Sequence, residues 1–541
     1  MSIPKFDPLK NPYALTRNTF YAKNGMVATS QPLAAQAGLE VLKKGGNAID
    51  AAIATAAALT VVEPTSNGIG SDAFALVWTK GKLHGLNASG KSPKSISIEK
   101  VKAMGHSEMP KTGIVPITVP GTPSAWATLS NKFGRVSLKE ALTPAINYAA
   151  NGYPISPTLG KYWNLAYNAY KTRYTGEEYA PWFDTFAPGG NAPQIGDIWA
   201  SPGHASTLEA IADSNAQSFY TGDLAEKIAN YVQKHKGFLT TNDLAEFKPE
   251  WVDPIGINYR GYDVWEIPPN GQGIVALIAL NIMKGFDIDP TAMHHISTYH
   301  KQFEAMKLAF ACGKKYVTDP THMTVPVKDL LSDAFADDLR KKITLTAQDP
   351  VPYLPPKSGT VYLATADGEG NMVSFIQSNY MGFGSGIVVP GTGIALQNRG
   401  ADFTLDPTHA NALAGGKKTY HTIIPGFLTH GDTPIGPFGV MGGYMQPQGH
   451  MQVVMNTVDF NLNPQAALDA PRWQWLQDKT FEVEPHFPKH IAAELVRMGH
   501  KINPTLDGGS FGRGQIIWRN PKNGVLAGGT ESRTDGAIAL W

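Results

Sequence analysis

Thr360 is the residue of this chain whose placement most invites chemistry. It follows Pro355, Pro356, Lys357, Ser358 and Gly359, a run unsuited to regular structure, and it opens the alternating stretch TVYLATAD. A threonine hydroxyl is a weak nucleophile near neutral pH unless a base stands beside it. Cutting the peptide bond before Thr360 would supply one, because the freed α-amine has a reference pKa of roughly 7.7 to 8.0. Gly359 has no side chain to obstruct attack on its carbonyl, and the loop before it can take up the strained geometry that an N-to-O acyl shift demands. Taken alone, a threonine opening a strand also reads as ordinary β propensity. Acyl transfer further needs N–H donors aimed at the developing oxyanion, and backbone amides with no Cβ in the way serve best. The stretch FGVMGGYMQ offers Gly442 and Gly443 directly after a strand, although a glycine pair by itself reads as a turn. Of the 15 histidines, His294, His295, His300 and His421 could be imagined around a metal. No HExxH or facial-triad spacing connects them, so metal catalysis is not expected.

The elements that must position these residues alternate from the start of the chain. GMVATS reads as a short strand, PLAAQAGLEVLKKGG as a helix closed by Gly45 and Gly46, and NAIDAAIATAAALTVVEP as a helix so rich in small residues that it must pack closely. SNGIGSDAFALVW and KLHGLNAS follow as a hairpin of buried strands. From about 120 to 340 the pattern is mostly amphipathic helix, including TYHKQFEAMKLAFACG. After about 360 it turns to strands: TVYLATAD, NMVSFIQSN, GTGIALQN, HTIIPGFLT and PIGPFGVMG, then a helix GHMQVVMNTVDF and a mixed tail. The composition shift near Gly359 is the best internal boundary, and there are no repeats.

With 541 residues, 42% of them hydrophobic, the chain can bury a large core. Lys and Arg number 46 against 45 Asp and Glu, without a basic run, so neither nucleic acid nor a membrane surface is an expected partner. The opening residues hold no apolar run long enough for a signal peptide, and no stretch approaches a membrane span, so a cytoplasmic protein is expected. The single cysteine, Cys312, excludes an internal disulfide and reads as a helix packing residue.

Nearly end to end, the sequence resembles the γ-glutamyltranspeptidase family of N-terminal nucleophile hydrolases. Residues 25–78 look like the family's opening block. VPGTPSAW, WEIPPNGQG, EAMKLAFA, DGEGNMVSFIQS, FGSGIVVPGTGIALQN, MGGYMQPQG and DAPRW look like later blocks in the same order. The resemblance implies an α+β fold, a four-layer αββα sandwich. It also implies a proenzyme that cuts itself between Gly359 and Thr360 into a large fragment 1–359 and a small fragment 360–541. A dimer of such heterodimers is one compatible assembly. By the same resemblance Thr360 is the nucleophile and Gly442 and Gly443 form the oxyanion hole. Ser378 stands where the family has a threonine whose hydroxyl bonds the nucleophile. No cofactor is implied.

Departures from the family pattern bear on the substrate. The family's arginine that clamps a γ-glutamyl α-carboxylate is replaced by Ser89, with Lys91 two residues on. The paired serines become His421 and Thr422, and the asparagine after the hydroxyl-bearing strand becomes Tyr380. Asp402 matches the acidic residue that binds the α-amine, and Arg399, three residues earlier, could take over a carboxylate. The stretch between Phe403 and Thr419 is shorter than in members with a lid loop, which implies an open pocket and hydrolysis over transfer. The chain thus resembles most the lidless glutathione hydrolase-like and cephalosporin-acylase-like members. It is expected to hydrolyse γ-glutamyl amides such as glutathione. Alternatives are another acyl amide, glutaryl or oxamate-like, or a non-catalytic, uncut relative acting as a binding protein.

Overall fold

Small side chains explain how the structure, a computed structural model that describes residues 17–349, 359–506 and 508–541, brings its layers together. The helix Ala48–Val62 is buried over its whole length and starts at a reciprocal capping box between Asn47 and Asp50. Its alanines let two strands approach closely: Thr365 Oγ1 donates to Ala48 O at 2.7 Å and Gln377 Nε2 donates to Ala56 O at 2.8 Å. On its other side runs the helix Pro32–Lys43, where a Cβ added to Gly38 would stand 2.3 Å from Thr55 Oγ1.

Two seven-stranded antiparallel sheets lie between helical layers. One runs in the order Ala537–Leu540, Gly25–Thr29, Gly359–Asp367, Met372–Tyr380, Asp72–Thr79, Lys82–Ala88 and Glu250–Val252. The other runs Phe20–Ala22, Leu526–Thr530, Arg513–Arg519, Thr433–Met441, Gly426–His430, Tyr262–Glu266 and Ile255–Tyr259. Met26, Phe74, Tyr362, Ile376, Phe427 and Ile517 fill the space between the sheets. Ala52, Trp126, Val361 and Phe375 belong to the core under the first helical layer; Ile278, Phe303, Phe438 and Met451 belong to that under the second. This is the αββα arrangement of an α+β protein. Among the described residues no helix is long and apolar enough to cross a membrane. The loop read over 355–358 and the opening residues 1–16 lie outside the described residues.

Most elements fall where the periodicity places them, and the differences have physical causes. GTGIALQN forms only isolated bridges, Val388 with Ala395 and Gly70 with Leu396, because Gly391 and Gly393 turn the backbone at φ +70°. In HTIIPGFLT the regular strand is confined to Gly426–His430, beginning after Pro425, which has no N–H for a ladder. Three strands of the two large sheets, Glu250–Val252, Ile255–Tyr259 and Tyr262–Glu266, and a two-stranded ribbon of Tyr153–Pro154 and Ile198–Trp199 interrupt the helical middle region. Cys312 is buried in the helix Ile296–Tyr316.

Candidate active site

Thr360 occupies a bulge. Gly359 pairs with Tyr380 and Val361 with Gln377, so Thr360 stands alone opposite Ser378 and Asn379. A bulge re-aims a side chain; here the Thr360 hydroxyl, fully buried, donates to Ser378 Oγ at 3.0 Å. Ser378 Oγ in turn donates to Gly359 O at 2.7 Å and accepts from Tyr380 N at 2.8 Å. One serine hydroxyl therefore touches both the threonine oxygen and the carbonyl of the peptide bond before it.

The strand alternation sends Thr360, Ser378 and Asp72 to the face between the two sheets, since Asp72 pairs directly with Ser378 and Phe74 and Ile376 on that face belong to the inter-sheet core. Asp72 Oδ1 accepts from Gly90 N and Gln397 Nε2, and its Oδ2 lies 3.0 Å from His421 Nε2. Burial pushes the Asp72 carboxyl up to about 7, against the pull of Arg399. Burial and then Arg399 hold the His421 imidazolium well below its ordinary range. His421 is therefore neutral; its Nδ1 accepts from Ile423 N, so Nε2 carries the proton donated to Asp72.

Tyr380 links this corner to the facing sheet. Its backbone takes φ +78°, a left-handed conformation that costs a bulky residue roughly 1–3 kcal/mol. That turn brings its hydroxyl to Asp402 Oδ1 at 2.9 Å, where the Tyr444 hydroxyl also donates at 2.7 Å. Burial holds both phenols well above their ordinary range, so both remain donors. Arg399 Nη1 lies 3.5 Å from Asp402 Oδ2, donates to Thr422 Oγ1 at 2.7 Å, and the guanidinium stacks 4.1 Å from the Tyr380 ring centre. Arg399 Nε and Nη2 are buried without an acceptor.

Tyr444 follows Gly442 and Gly443, which turn the strand Thr433–Met441 into the helix Met445–Val458. Gly442 has φ +140° and Gly443 φ +60°, and neither N–H is hydrogen-bonded among the described residues. The turn is held from below: Gln272 Nε2 donates to Gly443 O and Thr422 O, and the Tyr420 hydroxyl donates to Gln272 Oε1. Asp402 thus ties Thr360, through Ser378 and Tyr380, to the glycine pair through Tyr444.

Of the expected residues, Thr360, Ser378, Tyr380, Asp402, Arg399, Thr422, Gly442 and Gly443 meet in this network, and His421 joins it through Asp72. Ser89 does not. Its hydroxyl donates to Asn87 Oδ1 at 2.7 Å beside Asn270, and with Lys91 and Lys418 it lines a separate cavity of about 280 Å³. Asp72, Gln272, Tyr420 and Tyr444 are members that sequence reasoning missed, as is Lys314, whose ammonium donates to the Tyr444 hydroxyl. Tyr444 was signalled by its place beside the glycine pair; Asp72, opposite Ser378, needed the strand register. Histidines do cluster elsewhere: His300, Glu304 and His500 have ligand atoms within 4.8 Å of one another. These groups bond to protein neighbours, His300 Nδ1 with His500 Nε2 at 2.9 Å and Glu304 with Lys307 at 2.6 Å.

Comparison with known proteins shows the family of the chain. The family model of γ-glutamyltranspeptidase matches residues 34–541. The glutathione hydrolase-like YwrD proenzyme of Bacillus subtilis is 36% identical over 523 residues, covering 95% of this chain and 97% of that one. The oxamate amidohydrolase proenzyme of Klebsiella pneumoniae is 34% identical over 535 residues, 95% of this chain and 98% of its own. The crystal structure of cephalosporin acylase from Bacillus halodurans superposes with a TM-score of 0.95 at 66% identity over 99% of both chains. The chain belongs to the γ-glutamyltranspeptidase family.

Proposed function

We propose that this protein is a self-processing threonine amidohydrolase. In the precursor, Thr360 Oγ attacks the Gly359 carbonyl carbon; the C–N bond breaks, an ester forms, and water releases Gly359 as a carboxylate and Thr360 with a free α-amine. In the mature enzyme that amine takes the Thr360 hydroxyl proton as Oγ attacks the substrate amide carbon. Gly442 and Gly443 N–H groups hold the oxyanion. The C–N bond breaks, the amine leaves with a proton, and water hydrolyses the acyl ester. The observation that carries this reading is the Ser378 hydroxyl, placed between Thr360 Oγ and Gly359 O. The two free amides of the glycine turn support it. The short stretch between Phe403 and Thr419 favours water over an amine as acceptor. The acyl group is γ-glutamyl, as in glutathione, or a related dicarboxylic one: the names of the relatives span glutathione hydrolase-like, oxamate amidohydrolase and acylase proteins.

Intact mass measurement of the wild type and of Thr360→Ala tests the reading. The wild type should give two fragments that meet between Gly359 and Thr360 and should hydrolyse acyl amides; Thr360→Ala should give one inert species. A cleaved Thr360→Ala protein would overturn the mechanism, and a wild type that stays whole and inert would favour a binding protein.

A further inference from the structure

One cation beside this site forms no ion pair among the described residues. On the helix Ile296–Tyr316, Phe303, Lys307, Phe310 and Lys314 recur at helical spacing, so both lysines lie on the stripe that faces the core. Lys307 has its counter-ion Glu304 at 2.6 Å. Lys314 has no carboxylate within ion-pair distance among the described residues. Its ammonium donates to the Tyr444 hydroxyl and lies 4.3 and 3.9 Å from the ring centres of Tyr420 and Tyr444. The ammonium itself is buried, although the residue as a whole is only part-buried. Burial pushes the ammonium down to about 8, with Asp402 holding it up, which leaves it charged at neutral pH.

We propose that Lys314, acting with Arg399, is a specificity-determining residue that selects acyl groups ending in a carboxylate and carrying no α-amine, such as a glutaryl amide. This rests on the reading of Thr360 as the nucleophile and names the substrate of that site. Two cations, Arg399 and Lys314, face Asp402, and the other carboxylate near Arg399, Asp72, has its charge suppressed by burial, which pushes it up to about 7, so the cluster leans positive. Asp402 Oδ1 is taken by the hydroxyls of Tyr380 and Tyr444, and Oδ2 faces Arg399. An α-ammonium bound there would displace a phenol and stand beside two cations. Arg399 Nε and Nη2 lack acceptors, and the Lys314 ammonium donates to a neutral phenol, so a terminal carboxylate would give both cations an anionic acceptor. A γ-glutamyl group and a glutaryl group differ only by the amine, so the pocket should distinguish the two.

The test compares glutaryl-, γ-glutamyl- and butyryl-p-nitroanilide as substrates of the purified, self-processed enzyme and its Lys314→Met and Lys314→Arg variants. The wild type should prefer glutaryl. Lys314→Met should lower the ratio of kcat/KM for glutaryl over butyryl by about tenfold or more, chiefly through KM, and Lys314→Arg should retain the ratio. An unchanged ratio in Lys314→Met, or a wild type that prefers γ-glutamyl, overturns the assignment. Self-processing into two fragments reports whether each variant folds. Should the Met variant not fold, competitive inhibition of the wild type decides: glutarate should bind about tenfold or more tighter than L-glutamate, and the reverse order overturns the proposal. A wild type that turns over none of the three substrates removes the reading beneath it, an outcome distinct from altered preference.

Discussion

Ser378 serves three partners with one hydroxyl. It accepts from Thr360 and from the Tyr380 amide while donating to the Gly359 carbonyl, which uses its hydrogen-bonding capacity in full. A group so placed can draw the proton from an attacking Thr360 hydroxyl and polarise the carbonyl being attacked. General acid–base assistance of this kind is worth about 10²–10⁴ in rate. Ser378→Ala should therefore slow self-cleavage by about 100-fold or more, followed on denaturing gels over time, and Ser378→Thr should restore it. Equal cleavage rates for Ser378→Ala and wild type would remove the serine from the mechanism. At this scale the sequence marked the hydroxyl residues and Gly359 but not their order of donation. That order depends on a bulge, which shifts pairing by one residue and leaves no mark in the alternation of NMVSFIQSN.

The strand–turn–helix unit from Thr433 to Val458 shows what an element adds. Gly442 stands at φ +140°, where any Cβ is strained, and a Cβ there would lie 3.0 Å from Gly512 Cα. Gly442→Ala must move the turn and with it the two unpaired N–H groups. Loss of one oxyanion donor costs about 10²–10³ in kcat, so Gly442→Ala should fall by roughly that factor while its substrate KM changes far less. Steady-state kinetics on an acyl p-nitroanilide would measure this. A kcat within a few-fold of wild type would place the oxyanion elsewhere. The strand and the helix were legible from their apolar periods, and the glycine pair announced the turn. Lys314 was less legible, although its spacing from Phe310 put a charge on a buried stripe. Only the packing of its helix against Tyr420 and Tyr444 gave that charge a neighbour.

Both sheets interleave strands from the two sides of the Gly359–Thr360 bond. In one, Gly25–Thr29 lies between Ala537–Leu540 and Gly359–Asp367, and Met372–Tyr380 pairs with Asp72–Thr79. In the other, Phe20–Ala22 and Tyr262–Glu266 flank four strands from the C-terminal part. Cutting the bond therefore removes one peptide link and leaves every ladder in place. The two fragments should elute as a single species in size-exclusion chromatography and separate only in denaturant. Fragments that part under native conditions would contradict this sheet order.

The sequence by itself determined the alternation of strands and helices, the small-residue helix that admits a close strand, the residue types able to perform acyl transfer, and the likeness to a family that performs it. These are local properties: a period, a missing Cβ, a hydroxyl after a glycine. Tertiary structure alone decided which distant residues meet. Asp72 and His421 share a proton across 349 positions, Asp402 joins Tyr380 to Tyr444, and Ser89, which stands in for the clamping arginine by sequence, turns instead toward Asn87 and Asn270. The reason is physical. Side-chain pairing across two sheets depends on strand register and on how the sheets stack, and neither is encoded at the positions whose chemistry it sets.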